Sequence, residues 1–212
     1  QMFKQLFMMA GYDRYFQITR CFRDEDLRAE RQPEFTQVDM EMSFVSSEDV
    51  QNVVETMLSR VFKGLSDIDI PTPFERIDYD DAMSRFGVDA PDLRFGLELV
   101  EMTEMVRATD FRVFAEAVEK GGIVKGMNLK GLGDFSRKDL DGFIDFVKIY
   151  GAKGMAWVKM KEGGEWQSPI AKFFSPEKQA EMADALNLEP GDVAVFVADS
   201  YKVTNAALGN LR

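Results

Sequence analysis

The chain contains no histidine and one cysteine, Cys21, in 212 residues. The missing histidines exclude a catalytic histidine dyad and any histidine-bound metal within this chain. A lone cysteine excludes an internal disulfide and fits a reducing compartment. No apolar run approaches the roughly 20 residues needed to cross a bilayer. No basic segment followed by an apolar core marks a secretory signal. The expected location is therefore cytoplasmic, with no membrane partner. The chain starts at Gln1 without an initiator Met and reads as a fragment. Positive charge is scarce: 26 Lys and Arg against 37 Asp and Glu, for a formal net charge of −11. That excludes broad, nonspecific nucleic-acid binding, which needs clustered Lys and Arg, but leaves a local RNA contact open.

At 45% hydrophobic and 30% charged residues, the composition is that of an ordinary folded domain. The length suits one large or two modest domains. Residues 1–10 carry apolar side chains at helical spacing, and Gly11 can end that helix. Ser46 or Ser47 is placed to cap a helix through about Lys63. Its stripe of Val50, Val53, Val54, Met57, Leu58, Val61 and Phe62 is expected to face a core. A breaker-rich connection follows over Asp67–Pro73, then a short helix over Tyr79–Phe86. Beyond it, Phe111–Glu119 reads as helix or strand and Ile123–Leu129 as a strand. Ser136 caps a helix over Lys138–Tyr150, Met155–Met160 is a strand, and Gly163–Gly164 turn a hairpin. Ser175 and Pro176 open a helix to Leu186. Val193–Ala198 is a buried strand and Tyr201–Leu211 a last helix. The pattern predicts an α+β fold, its second region a compact two-layer module. Lys148, Lys153 and Lys159 are expected on a solvated face.

The segment Cys21–Phe44, CFRDEDLRAERQPEFTQVDMEMSF, is the most chemically loaded. It reads as two strands joined by a charged loop. Side chains alternate along a strand. Phe35, Gln37, Asp39, Glu41 and Ser43 therefore share one face of the second strand, and Thr36, Val38, Met40, Met42 and Phe44 the other. In the preceding strand Tyr15, Gln17, Thr19, Cys21 and Arg23 share a face, opposite Phe16, Ile18 and Phe22. The apolar face is expected to pack and the polar face to present a site. A hairpin would set Arg23 beside Gln37 and Asp39. Guanidinium takes a phosphate or carboxylate in a bidentate fork, and a carboxylate holds an ammonium. On spacing alone, a solvated hairpin with a charged tip fits equally well.

FRDEDLRAERQPEFTQVDMEMSF resembles motif 2 of the class II aminoacyl-tRNA synthetases, in the form found in bacterial-type aspartyl enzymes. QMFKQLFMMAGYDRYFQITRCFR resembles the segment leading into that motif. DAPDLRFGLEL resembles the exit from the first catalytic half. FVKIYGAKGMAWVKM, SPIAKFF, GDVAVFVADS and ALGNLR resemble the inserted GAD domain. The resemblance implies part of the antiparallel class II catalytic sheet followed by a two-layer α/β GAD-like insertion. It divides the chain into a partial catalytic domain at 1–94, the insertion at 95–205 and a return at 206–212.

The resemblance also implies an activity. Such enzymes join L-aspartate to ATP, release pyrophosphate, and pass the aspartyl group to tRNA. Arg23 matches the catalytic arginine on the α-phosphate and aminoacyl carboxylate. Asp24, Glu25, Gln32 and Phe35 match further ATP contacts, with Glu25 reading the adenine amino group and Phe35 stacking on the ring. Gln1, Lys4, Gln37 and Asp39 match aspartate-binding residues, Lys4 taking the side-chain carboxylate. Glu41 is supporting only. Arg28 and Arg31 match a weak contact to the tRNA acceptor end. An acid–base role for Asp39 and Glu41 is set aside, since the family works by positioning and electrostatics. Motif 1, motif 3 and the anticodon-binding fold have no match here, and the Mg²⁺ ligands are expected further along. No metal is therefore expected within this chain. The expected parent is a homodimer and the isolated chain inactive. Two other readings stand: a GAD-type RNA- or protein-binding module without catalysis, and a sister enzyme for asparagine or lysine.

Overall fold

A computed structural model describes residues 2–26 and 31–212. The chain divides into two compact units, Gln1–Arg76 and Ile77–Arg212. This division reflects contact density; the expected catalytic and inserted domains are a separate question of family architecture.

The first unit holds helix α1 (Met2–Met9), strands β1 (Arg14–Phe22) and β2 (Glu34–Met42), and helix α2 (Ser47–Ser66). The strands form an antiparallel pair in continuous register, from Arg14 opposite Met42 to Phe22 opposite Glu34. Helix α1 lies over the polar face. Phe7 stacks on Tyr15 with ring centres 5.5 Å apart, and Lys4 reaches Asp39. Tyr15, Gln17, Thr19 and Cys21 are consequently half-buried. The other face is bare, with Phe16 72%, Ile18 70% and Phe22 69% exposed. This reverses the expectation that the apolar face packs. Tyr15 offers Phe7 a ring, and the carboxylates offer Lys4 a partner. One eight-residue helix cannot cover both sides.

Helix α2 begins with the predicted cap: Ser46 accepts from the Asp49 N–H while the Asp49 carboxylate accepts from the Ser46 N–H. Its apolar stripe does not face a core in this unit. Val50, Val53, Val61 and Phe62 are exposed, and the one buried residue is Glu55, held by Arg76 at 3.1 Å. Val54, Met57 and Leu58 of the stripe are half-buried, and none of its apolar residues is buried.

The second unit starts with α3 (Tyr79–Phe86), β3 (Leu99–Glu101), α4 (Arg112–Glu119) and β4 (Ile123–Leu129). It continues through α5 (Arg137–Ile149), β5 (Ala156–Met160), β6 (Trp166–Gln167), α6 (Pro176–Ala185), β7 (Val193–Asp199) and α7 (Tyr201–Leu211). Its five strands run in the order β3-β4-β7-β5-β6, all antiparallel. The α+β class with antiparallel pairing is thus observed. The layering differs from the two-layer expectation, because β7 is buried on both sides. Ala194 and Phe196 pack with Phe114 and Met182 of α4 and α6. Val193, Val195 and Val197 pack with Leu140, Val147 and Leu208 of α5 and α7. A continuous apolar strand is what two covering layers demand.

Lys125 of β4 is fully buried in this unit. Its ammonium donates to Ser84 O at 2.8 Å, Met83 O at 3.2 Å and Asn205 Oδ1 at 2.8 Å. A cation at the carbonyl end of α3 meets the negative end of the helix dipole. Gly87 ends that helix at φ +72°, where a Cβ would meet Asn205 O at 2.6 Å. Lys159 also departs from the solvated expectation. Its ammonium is tied to the carbonyls of Gly133, at 2.7 Å, and Phe135.

Candidate active site

The register brings most of the expected site residues onto one face of the hairpin. Gln17 lies opposite Asp39, Thr19 opposite Gln37, and Cys21 opposite Phe35. One step further, the Arg23 N–H donates to Pro33 O at 2.9 Å, which extends the ladder and fixes the arginine at the strand end. Its guanidinium stands over the Phe35 ring, 5.1 Å from the centroid, and its Nη1 lies 3.8 Å from Glu25 Oε1. Arg23, Glu25 and Phe35 therefore cluster. Asp24, Gln32 and Arg31 are exposed around them. Gln1 and Arg28 lie outside the described residues. Arg20 points away on the opposite face, paired with Glu34 at 3.1 Å.

The other end of the row is a charge cluster. Lys4 Nζ lies 2.7 Å from Glu41 Oε1 and 3.0 Å from Asp39 Oδ1. Gln17 Nε2 donates to Asp39 Oδ2 at 3.2 Å. Gln37 accepts from the Cys21 thiol at 3.5 Å. Hydrogen bonds from Lys4 and then Gln17 hold the Asp39 carboxyl below its ordinary range. Glu41 first, then Asp39, pushes the Lys4 ammonium above its own. One ammonium against two carboxylates leaves a net negative charge that suits a second ammonium. The opposite end offers a guanidinium and an aromatic face. From Asp39 to Phe35 is four residues of strand, about 13 Å. The face thus presents, in line, a place for an ammonium, a place for an anion, and a platform for a planar base. Among the described residues no group of three or more His, Cys, Asp or Glu could hold a metal ion.

Comparison with known proteins decides the family. Residues 1–199 match the family model of tRNA synthetases class II (D, K and N). The chain belongs to the class II tRNA synthetases. An aspartate–tRNA(Asp/Asn) ligase of Desulfatibacillum aliphaticivorans is 60% identical over the whole of this chain, which corresponds to 36% of the relative's length. An aspartate–tRNA ligase of Geobacillus kaustophilus is 56% identical with the same coverage, and one of Halalkalibacterium halodurans is 53% identical. The chain therefore spans about a third of the length of these class II relatives.

The sequence also left contacts of the candidate site unread. The pairing of Lys4 with both Asp39 and Glu41 had a partial signal, since the two acids are two residues apart on one strand. The Arg23–Phe35 contact had a signal in their shared face. The engagement of Cys21 with Gln37 had none beyond the register. No helix is long and apolar enough to cross a membrane among the described residues.

Proposed function

We propose that this chain supplies the motif 2 part of the active site of an aspartate–tRNA ligase. The observation that carries the reading is the shared hairpin face, with Lys4, Gln17, Asp39 and Gln37 at one end and Arg23, Phe35 and Glu25 at the other. The names of relatives more than half identical support it.

In this reading aspartate binds by exchanging ion pairs. Its ammonium takes over Asp39, with Gln17, Gln37 and Glu41 around it, and Gln1 completes the contact. Lys4, released from the carboxylates, pairs with the substrate's side-chain carboxylate. Asparagine would leave that ammonium facing a neutral amide, the kind of mismatch that lets a polar site discriminate by up to about 10⁴-fold. Phe35 stacks on adenine, Glu25 accepts from its amino group, and Asp24 and Gln32 bound the nucleotide. An α-carboxylate oxygen of aspartate attacks the α-phosphorus, the bond to the bridging oxygen breaks, and pyrophosphate leaves. Arg23 neutralises the charge that gathers on the phosphoryl oxygens. The aspartyl group then passes to tRNA, whose acceptor end meets Arg28 and Arg31. The residues described do not fit a Mg²⁺ centre, whose ligands would come from the remainder of the longer protein.

The family architecture gives a partial catalytic domain at 1–94, a GAD-like insertion at 95–205 and a return at 206–212. The parent protein is read as a cytoplasmic homodimer, and the bare apolar face of the hairpin as a surface on which further parts of the longer protein pack. The test is ATP–pyrophosphate exchange by the full-length protein carrying this sequence. Exchange is expected with aspartate and not with asparagine or lysine, and the 212-residue chain alone should be silent. Equal exchange with asparagine or lysine would overturn the assignment.

A further inference from the structure

The second unit contains a concavity of about 620 Å³, within the range that holds a small molecule. Its walls are apolar: Phe111, Phe114, Met155, Trp157, Ile170 and Phe196. Four of these are built into the core, with Phe114 at 1%, Phe196 at 0%, Ile170 at 6% and Met155 at 7% exposure. Their rings brace one another, Phe111 to Phe114 at 4.8 Å and Phe114 to Phe196 at 6.1 Å between centres. The cavity is thus preformed, and a ligand would not have to order it. Gly154 leaves it open, since a Cβ there would meet no atom within 4 Å.

The charged residues of the lining are Lys120, Lys153, Glu116 and Asp199. Glu116 is already engaged by Arg112 and, at 3.9 Å, by Lys120. Asp199 accepts from the Ser200 N–H at 2.7 Å. Lys153 forms no ion pair among the described residues, and its charge reaches Glu116 only through space. Both lysines are exposed. The hydrogen bond leaves the Asp199 charge in place, but with Glu116 set against Arg112 the two lysines outnumber it, so the net charge beside the cavity is positive. The six wall side chains offer no strong donor or acceptor except the Trp157 indole. A nucleobase placed among them would leave several polar atoms unpaired, which a hydrocarbon ring would not.

We propose that this cavity is a binding site for an amphipathic organic anion, an aromatic or compact apolar body carrying a carboxylate that faces Lys153 and Lys120. The site does not rest on the ligase reading. The probe is 2-naphthoate, titrated into the full chain beside its uncharged amide, with the Met155 methyl and Trp157 indole resonances as reporters. Saturable binding is expected, with the acid about fivefold tighter than the amide, as two exposed charges allow. The double variant Lys120→Gln/Lys153→Gln should erase that preference while retaining the amide's affinity. Gly154→Trp should fill the space and abolish binding with an unchanged melting temperature. Absence of saturable binding, equal affinity for acid and amide, or undiminished binding to a folded Gly154→Trp would overturn the proposal. So would adenosine 5′-monophosphate displacing the acid at equal or lower concentration. If Gly154→Trp fails to fold, the acid-to-amide ratio in the lysine double variant decides.

Discussion

The two units of this chain solve opposite problems. Every buried hydrophobic side chain among the described residues lies in the second unit, from Ala82 to Leu208. The first unit buries none, and leaves Phe16, Ile18 and Phe22 open to solvent. Yet the first unit carries the converging polar side chains of the candidate active site. The second is a five-stranded sheet with helices on both faces, where polar groups are mostly spent on structure: Lys125 on α3, Lys159 on a loop. A core fixes position by excluding water. A hairpin face displays chemistry only if something leaves it accessible. The contrast teaches that the unit bearing the candidate site is the one whose own packing is least complete.

The largest difference should appear on truncating matched aliphatic side chains. Leu140→Ala, in the wholly buried cluster beneath α5 and α7, is expected to cost about 3 kcal/mol. Ile18→Ala, on the bare face of β1, should cost less than about 0.5 kcal/mol. Urea unfolding of the chain measures both, provided that each transition is assigned to its unit by a local probe. A comparable loss at Ile18 would mean that the apolar face is covered in solution.

Lys125→Met probes whether buried polar groups of the second unit are needed. The methionine retains most of the stem's packing but strands Ser84 O and Asn205 Oδ1, whereas Met83 O keeps the Gly87 N–H. About 2 kcal/mol of destabilisation is expected from those orphaned partners. The wild-type protein supplies a sign check. Burial pushes the Lys125 ammonium below its ordinary 10.5. Between that lowered value and 10.5 the unfolded chain binds more protons than the folded one. The lysine's contribution to stability therefore rises with pH across that window, and the variant should lose that slope.

The smallest effect belongs to the half-buried charge cluster of the first unit. Asp39 is held below its ordinary 3.8 and Lys4 above its ordinary 10.5. Their mutual stabilisation is fully present between those ordinary values. It fades as pH falls through the lowered carboxyl value or rises through the raised ammonium value. In Lys4→Met the Asp39 carboxyl midpoint, followed by carbon NMR, should move back up toward 3.8. A midpoint unchanged by the substitution would show that Lys4 does not hold that carboxylate.

Local signals made much of this fold legible. The Ser46 and Ser136 caps, the Gly87 terminus and the alternation of β1 and β2 are all decided by a few neighbouring residues, and the helices and strands fall where those signals put them. What the sequence did not reveal was which surfaces meet. The stripe of α2 and the apolar face of the hairpin read as buried because periodicity reports amphipathicity, not the presence of a partner. The burial of Lys125 was illegible for the same reason: its acceptors are more than 40 residues away in sequence. The three-residue β3 was too short to carry a pattern. For the candidate site, the face shared by Arg23, Phe35, Gln37 and Asp39 followed from period-two spacing. The roles came from resemblance, and the double engagement of Lys4 needed coordinates.

The most direct test uses two arginines three residues apart on the same hairpin. Arg23 lies over Phe35 on the candidate face, whereas Arg20 pairs with Glu34 on the other. In the full-length protein, Arg23→Ala should lower aspartate-dependent ATP–pyrophosphate exchange by about 10²-fold or more, as expected when a group that neutralises developing charge is removed. Arg20→Ala should stay within about threefold of wild type, since exposed ion pairs contribute little. Equal losses in the two variants, or a larger loss at Arg20, would contradict the assignment of the chemistry to this face.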